Sequence, residues 1–318
     1  MTLGEMPGMQ EVTMEIPKKP SFKRLSQEKD QADMLVRPSS SYLKDALYNF
    51  KRDKLGIIGA CIVVLMIFFG WVGPHFVPYG YEEVDLVNAF QPPSAQHWMG
   101  TDNLGRDLMV RVMCGARISL SVGFASTLIS ITIGIFFGAI SGFIGGKTDL
   151  FMMRIVEIFS SIPSTLYIIL LAQIWPEGGF ANIIFVIGVT GWMGTARLVR
   201  GEVLSLKERE FVLAAEVSGV SGLRIITRHL IPNAIAPIMV SLTLGIAGAI
   251  FTEAALRFLG IMSLGTPSWG LLVSDGIKNM RGYPHILLFP AFAISITILS
   301  FNFLADALSK ALDPRRRQ

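Results

Sequence analysis

Two short motifs in this chain carry residue types that could do chemistry, and both are incomplete. Gly146-Lys147-Thr148 has the form of the end of a phosphate-binding loop, in which backbone amides and a lysine hold the phosphates of a nucleotide. The full pattern G-x-x-x-x-G-K-[ST] requires glycine at position 141, where this chain has Ser141. The segment also joins two apolar stretches instead of following a soluble strand. We therefore expect no ATP site in this chain.

The second motif would support serine nucleophilic chemistry. Gly219-Val220-Ser221-Gly222 matches, by letter, the G-x-S-G pattern of intramembrane serine proteases, and His229 is the kind of base that such a serine needs. A segment this rich in arginine belongs in a loop outside the bilayer, where no membrane-embedded peptide bond awaits cleavage. We therefore expect no enzymatic activity. No metal-ligand spacing occurs among the four histidines, His75, His97, His229 and His285.

A third cluster places charged side chains in a tight turn. Residues 97–107 read HWMGTDNLGRD, with two glycines that bracket an acid-bearing turn. Calcium-binding loops have a different ligand spacing, so we expect no metal here. Asp102, Arg106 and Asp107 are better explained as ion pairs that hold the turn together than as direct ligands of a substrate.

Glu253 and Arg257 form a fourth candidate, because they lie four residues apart at one end of an apolar stretch. On a helix they would face each other, which predicts a structural ion pair. Ionisable groups this close to a bilayer interior are also functional candidates.

The composition indicates the elements that must position these residues. The chain is 51% hydrophobic and 16% charged, with a mean hydropathy of +0.52, whereas soluble proteins average about 25% charged residues. This favours a membrane protein, and the net charge of +4 gives no signal for nucleic-acid binding. Cys61 and Cys114 lie at different predicted depths and are not expected to pair. Without a cleavable signal, the first apolar stretch predicts a retained anchor.

Six stretches are long and apolar enough, or nearly so, to cross a bilayer. The fold class predicted from them is an all-α membrane protein with six transmembrane helices. Pro163 interrupts the third stretch, and the fourth is short. The predicted spans cover residues 55–77, 118–144, 155–175, 180–197, 233–256 and 286–308.

Lysine and arginine are distributed unequally over the alternate loops, 22 against 6. By the positive-inside rule, both termini and the loop 198–232 are predicted to be cytoplasmic. Residues 1–40 are expected to be a mobile segment, 41–54 an amphipathic helix on the membrane surface, and 313–318 a basic tail. Residues 78–117 form the predicted extracytoplasmic loop, and residues 118–312 form the core domain.

Two sets of small residues predict close packing. One set recurs every four residues along the second span and favours contact with another span: Ser126, Ser130, Gly134, Gly138 and Gly142. The other lies in the loop 198–232, where Ala214 and Ala215 precede Gly219, and Pro232 follows. The glycine can stop one short helix and the proline can start the next, so the loop predicts two helices joined by a turn.

This loop resembles the EAA loop of ABC-importer permeases, which reads Glu-Ala-Ala, three residues, Gly, nine residues, then Ile-x-Leu-Pro. The alanines, Gly219 and Pro232 are retained, whereas Leu213, His229 and Ile231 depart from the pattern. The sequence Arg228-His229-x-x-Pro232-Asn233 is similar to the peptide and nickel branch. The turn 97–107 resembles the H-x-x-G-T-D-x-x-G-R-D signature of oligopeptide and dipeptide permeases, and residues 252–276 are similar to the segment after their fifth span.

The resemblance implies the type I ABC-importer permease fold and three groups of functional residues. The ATPase-coupling group is Ala214, Ala215, Glu216, Gly219, Arg228, His229 and Pro232. The gate, or the docking surface for a binding protein, is Gly100, Thr101, Asp102, Gly105, Arg106, Asp107, Gly265, Pro267, Trp269 and Gly270. The small polar pore lining is Ser160, Ser161, Thr165, Ser241 and Thr243.

The resemblance also implies the partners. These are a homologous second permease, two ATPase subunits that bind ATP and Mg, and an extracytoplasmic binding protein, assembled in the lipid of a prokaryotic inner membrane. No cofactor is expected in this chain itself. The expected cargo is a peptide, with nickel chelates, glutathione or opines as alternatives. A secondary transporter or channel is less well supported, because the spans show no repeat and almost no mid-membrane charge.

Overall fold

The computed structural model describes residues 42–174, 179–261 and 266–312. Within these ranges the regular structure is helical, apart from one isolated bridge between Thr101 and Asp107. The predicted mobile segment 1–40, the basic tail 313–318 and Gly265 lie outside the described residues. The predicted all-α fold class is confirmed.

Most of the helices follow one another with short connections, whereas residues 72–107 form a long connection between the second and third helices. They are α1 (Tyr42–Phe50), α2 (Lys54–Trp71), α3 (Leu108–Ile144), α4 (Gly146–Ser161), α5 (Ser164–Ile174), α6 (Gly179–Thr190), α7 (Trp192–Lys207), α8 (Glu210–Val217), α9 (Gly222–Ile225), α10 (Ile231–Asn233), α11 (Ile235–Phe258), α12 (Trp269–Asn279) and α13 (His285–Leu312). A π-helical turn, Ile226–Leu230, joins α9 to α10. Short 3₁₀ helices cover Gly73–Phe76 and Leu86–Asn88.

Five helical segments of the described chain are long and apolar enough to cross a membrane: Lys54–Trp71, Leu108–Ile144, Gly179–Lys207, Ile235–Phe258 and His285–Leu312. The third predicted span, 155–175, is instead a pair of helices, α4 and α5, bent by 88°. Pro163 causes the break, because proline has no N–H and forces the preceding Ile162 into an extended conformation. The described chain therefore has five helical segments that could cross a membrane, or six if the bent pair is counted as one span.

The helix of the second span begins at Leu108, before the predicted residue 118, so the last part of the predicted loop 78–117 is helical. Asp107 explains the early start, since its Oδ1 accepts a hydrogen bond from the Val110 N–H at 2.9 Å and caps the helix. The first span is shorter than predicted and ends at Trp71, before the 3₁₀ turn that contains Pro74.

The first and last spans are tied together by a charged helix cap. Asp53 accepts a hydrogen bond from Gly56 N–H at 3.0 Å and pairs with Lys310 Nζ at 2.8 Å. The Lys310 ammonium holds the pKa of the Asp53 carboxyl below its usual value. Helix α1 precedes this cap within the predicted range 41–54, and its position on a membrane surface stays a prediction.

The stripe of small residues on α3 packs within the chain, as predicted. A Cβ at Gly142 would lie 2.9 Å from the Arg200 carbonyl oxygen, and one at Gly138 would lie 3.0 Å from the Arg200 nitrogen. Ser130 Oγ donates a hydrogen bond to the Gly188 carbonyl at 2.7 Å. The stripe therefore sets the close approach of α3 to α6 and α7.

The orientation of the chain can be tested with single cysteines in a background without Cys61 and Cys114. Asn103 and Ser205 are both exposed, and they lie on opposite sides of the predicted membrane. We expect an impermeant thiol reagent to label Asn103→Cys but not Ser205→Cys in intact cells, because the loop 198–232 carries the cationic excess. Labelling only of Ser205→Cys would reverse the orientation.

Candidate functional site

The loop 198–232 contains the predicted pair of short helices and the predicted turn. Helix α8 ends at Val217, and Gly219 follows with φ +75°, a backbone region that favours glycine. The Gly219 N–H donates to the Glu216 carbonyl at 3.0 Å, and the Val220 N–H to the Ala215 carbonyl at 3.1 Å. These two bonds are the Schellman arrangement, which satisfies the last carbonyls of a helix.

Pro232 does not begin the second helix, contrary to the prediction. That helix begins at Gly222, and Pro232 follows the π-helical turn Ile226–Leu230 within continuing helical backbone. A wider turn before the proline accommodates the missing N–H of its ring, which explains this irregularity.

One face of the loop is packed onto the spans. Val212, Ile225 and Leu230 are fully buried against Val199 and Val203 of α7. Ala215 is half-buried against the same cluster, so it belongs to the interior of the loop and not to its outer surface. The loop is therefore a fixed extension of the helical core.

The opposite face is apolar and uncovered in the single chain. We call Leu213, Ala214, Val217 and Leu223 the loop patch. All four are exposed, and Val217 is 90% accessible to solvent. The remaining predicted coupling residues surround it: Glu216, Arg228 and Pro232 are exposed, and His229 is half-buried. An exposed apolar patch with a polar rim is typical of a protein–protein contact.

A partly buried ion pair that the sequence does not reveal joins α4 to α7 beside this loop. Asp149 accepts from Arg200 through both oxygens, at 2.5 and 2.6 Å, and from Ser141 Oγ at 2.5 Å. Lys207 Nζ donates to the Phe143 carbonyl at 2.6 Å and so closes the end of α3. From the sequence, Arg200 and Lys207 contribute only to the count of basic residues, because nothing in the local sequence indicates their partners.

The acidic turn, residues 97–107, lies at the other end of α3 and is held by its own charges. Asp102 Oδ2 accepts from Arg106 Nε and Arg111 Nη1, each at 2.8 Å, and its Oδ1 accepts two backbone N–H groups. Asp107 caps α3 and also contacts His97 Nδ1 at 2.8 Å. The structural ion pairs predicted here are present, with Arg111 as an added partner.

Few of the residues predicted to form a docking surface for a binding protein are accessible. Thr101, Asp102, Asp107, Pro267 and Trp269 are buried, and Arg106 is half-buried. A Cβ at Gly100 would lie 2.5 Å from the Gln91 carbonyl oxygen, and one at Gly105 would overlap the Asp85 carbonyl oxygen, so both glycines are inside the turn. Gly270 likewise packs on the backbone of Ala254. Burial is incompatible with a docking surface, whereas a gating role stays a prediction. The exposed side chains nearby are Leu86, Val87, Trp98 and Asn103.

Glu253 and Arg257 form the predicted ion pair, which is buried in the helical core near the end of α11. Arg257 Nε lies 2.9 Å from Glu253 Oε1, and both side chains are fully buried. Ser119 Oγ donates to Glu253 Oε2 at 2.9 Å. Trp269 packs in the same core, and its Nε1 donates a hydrogen bond to the Val112 carbonyl at 2.9 Å. Ser119 links this pair on α11 to α3, and Trp269 links α12 to α3.

The predicted pore-lining residues divide into two groups. Ser160, Ser161 and Thr165 are exposed around the break between α4 and α5. Ser241 is half-buried, and Thr243 is buried and donates to the Met239 carbonyl of its own helix. The prediction for Thr243 is therefore wrong in this conformation. No group of side chains suited to a metal ion occurs among the described residues.

Comparisons with known proteins agree with this arrangement. Residues 134–318 match the family described as binding-protein-dependent transport system inner membrane component, and residues 41–93 match the N-terminal TM domain of oligopeptide transport permease C. The chain is 45% identical to the oligopeptide transport system permease protein OppC of Bacillus subtilis over 90% of its length and 94% of that protein.

Two further relatives match over nearly the whole chain. The dipeptide transport system permease protein DppC of Bacillus subtilis is 42% identical, with 92% of both chains covered. OppC of Haemophilus influenzae is 44% identical, with 91% of this chain and 93% of that protein covered. The chain therefore belongs to the family of binding-protein-dependent transport system inner membrane components.

Proposed function

We propose that this chain is a permease subunit of an ATP-driven importer of dipeptides or oligopeptides. The observation that carries the proposal is the loop patch, an exposed apolar surface on a loop whose other face is packed into the spans. Such a loop can transmit the movement of a bound protein to the membrane helices. The peptide cargo is supported by the names of the relatives, which are oligopeptide and dipeptide permeases.

The proposed complex contains a second permease, two ATPase subunits and an extracytoplasmic binding protein. Closure of the ATPase pair on ATP and Mg would move the loop patch, and α7 would follow because it runs almost directly into α8. The Asp149–Arg200 pair would pass that movement to α4 and the bent segment. The passage would then alternate between two states, with ATP and the loaded binding protein favouring one of them.

Nickel chelates, glutathione and opines are the alternative cargoes of the same importer class. A secondary transporter or channel is the alternative mechanism, and it predicts transport by this chain without any ATPase. Uptake that needs no ATP would favour it over the importer.

The first test is biochemical. We expect the purified chain to hydrolyse no ATP, because its one phosphate-loop-like segment has Ser141 where glycine is required. We also expect it to co-purify with ATPase subunits and a second permease when they are expressed together. Nucleotide hydrolysis by the isolated chain, free of those partners, would contradict the proposal.

A further inference from the structure

The break between α4 and α5 is an unusual stretch for a membrane protein. Residues 157–166 are all exposed, and the backbone leaves the helix at Ile162 with φ −92° and ψ 130°. Hydrocarbon does not tolerate irregular backbone, because its polar groups cannot be satisfied there. If the break lies at membrane depth, it must face a water-filled passage or another subunit, and in secondary transporters such broken helices commonly hold the cargo.

A guanidinium group from α7 reaches into this break. Arg197 Nη2 donates a hydrogen bond to Ser160 Oγ at 2.5 Å, and Ser160 Oγ lies 3.3 Å from Met193 Sδ. Ser161 and Thr165 add exposed hydroxyl groups on either side of the break. The break therefore presents Arg197 and several uncharged hydrogen-bonding groups, with the Arg154–Glu157 ion pair beside them.

The partner that the structure gives to the Arg197 guanidinium is a hydroxyl group. The nearby Arg154 and Glu157 pair with each other at 2.7 Å. In the described part of the chain no acidic side chain forms an ion pair with Arg197. A guanidinium has five donors in a planar fork that matches a carboxylate, so its remaining donors are available to an anionic ligand.

We propose that Arg197, positioned by Ser160, binds the carboxylate of a peptide in transit. The inference rests on the proposed function, since a peptide with a free C-terminus always brings one carboxylate into the passage. An arginine at the break would offset the loss of water around that group, and the surrounding hydroxyl and methionine side chains suit variable side chains. Arg197 is then a specificity-determining residue that acts after the binding protein has released its cargo.

The test uses the complete complex reconstituted in proteoliposomes. A tripeptide and its C-terminally amidated analogue, both held by the binding protein, are supplied separately and their ATP-dependent uptake is measured. Arg197→Gln is expected to lower uptake of the free-carboxylate peptide about tenfold relative to the amide, as expected for one lost charge-assisted hydrogen bond. ATPase stimulation by the loaded binding protein should stay at the wild-type level.

Two further variants sharpen the result. Ser160→Asp places a carboxylate beside Arg197 and should reproduce the loss of preference, whereas Arg197→Lys should retain part of it. The matched control is Lys147→Gln, an exposed cation of α4 away from the break, which should behave as the wild type.

Three outcomes would contradict either the inference or the proposed function. Equal loss for both peptides would overturn carboxylate selection. Loss of ATPase stimulation or of assembly in both Arg197→Gln and Ser160→Asp would assign the guanidinium to a carboxylate of the second permease and also overturn the inference. Failure of the wild-type complex to take up either peptide would instead contradict the proposed function.

Discussion

Replacement of Val217 by aspartate is expected to abolish substrate uptake while the chain remains inserted and folded. Val217 is 90% exposed at the end of α8, so the substitution removes no internal packing. In a docked complex the new carboxylate would be buried without a partner, which costs about 3 kcal/mol, or about a hundredfold in affinity. The measurements are co-purification of the ATPase subunits and uptake of labelled substrate in the same cells.

The control for charge is Val217→Thr, which keeps the shape of the side chain and should lose much less co-purification and uptake.

Gly219→Val is expected to cause the same defect by a different mechanism. Open space surrounds Gly219, so the substitution acts through its φ of +75° alone and strains the turn by about 1 kcal/mol. Gly219→Asn should be milder, because asparagine tolerates this conformation. Wild-type co-purification and uptake in Val217→Asp would show that the loop patch is not the coupling surface.

Replacement of Arg257 by methionine is expected to destabilise the helical core strongly. It leaves Glu253 as a buried carboxylate without its charged partner, although the Ser119 hydroxyl still donates a hydrogen bond to it. Breaking a buried ion pair by removing one partner costs about 3–5 kcal/mol. The measurement is the thermal unfolding of the purified complex, followed by the fluorescence of Trp269 and the other tryptophans.

The double variant with Glu253→Arg and Arg257→Glu should recover part of the lost stability. The matched control is Lys278→Met, which removes one partner of the exposed pair with Asp275 at 3.5 Å. Exposed pairs contribute about 0–1 kcal/mol, so this control should unfold near the wild-type temperature. An unchanged unfolding temperature in Arg257→Met would mean that the buried pair does not stabilise the fold.

The sequence predicted the spans well where apolar residues are uninterrupted and less well where charge or proline intervenes. The helical start of α3 before residue 118 is not evident from the sequence, because Arg111 and Arg117 resemble loop residues until the partner of Arg111, Asp102, is known. Pro163 marked a break in the third span, but its bend of 88° depends on packing that no local pattern records.

In the candidate site too, local features can be predicted from the sequence, whereas contacts between distant residues cannot. The turn at Gly219 follows from the left-handed preference of glycine, which is a local property. The Asp149–Arg200 pair and the hydrogen bond from Trp269 to Val112 join residues far apart in the chain, so only the fold reveals them. The buried positions in the acidic turn show why a motif can identify a family and still not identify a contact surface.

Helix α3 contains 37 residues without a proline, which corresponds to about 55 Å, whereas the hydrocarbon of a bilayer is about 30 Å thick. One end is fixed in the acidic turn through Asp107, and the other is fixed beside the loop 198–232 through Lys207. We therefore expect a tilt imposed at one end of α3 to displace the other end directly, because a continuous helix of this length can move as one body without any relay of side chains.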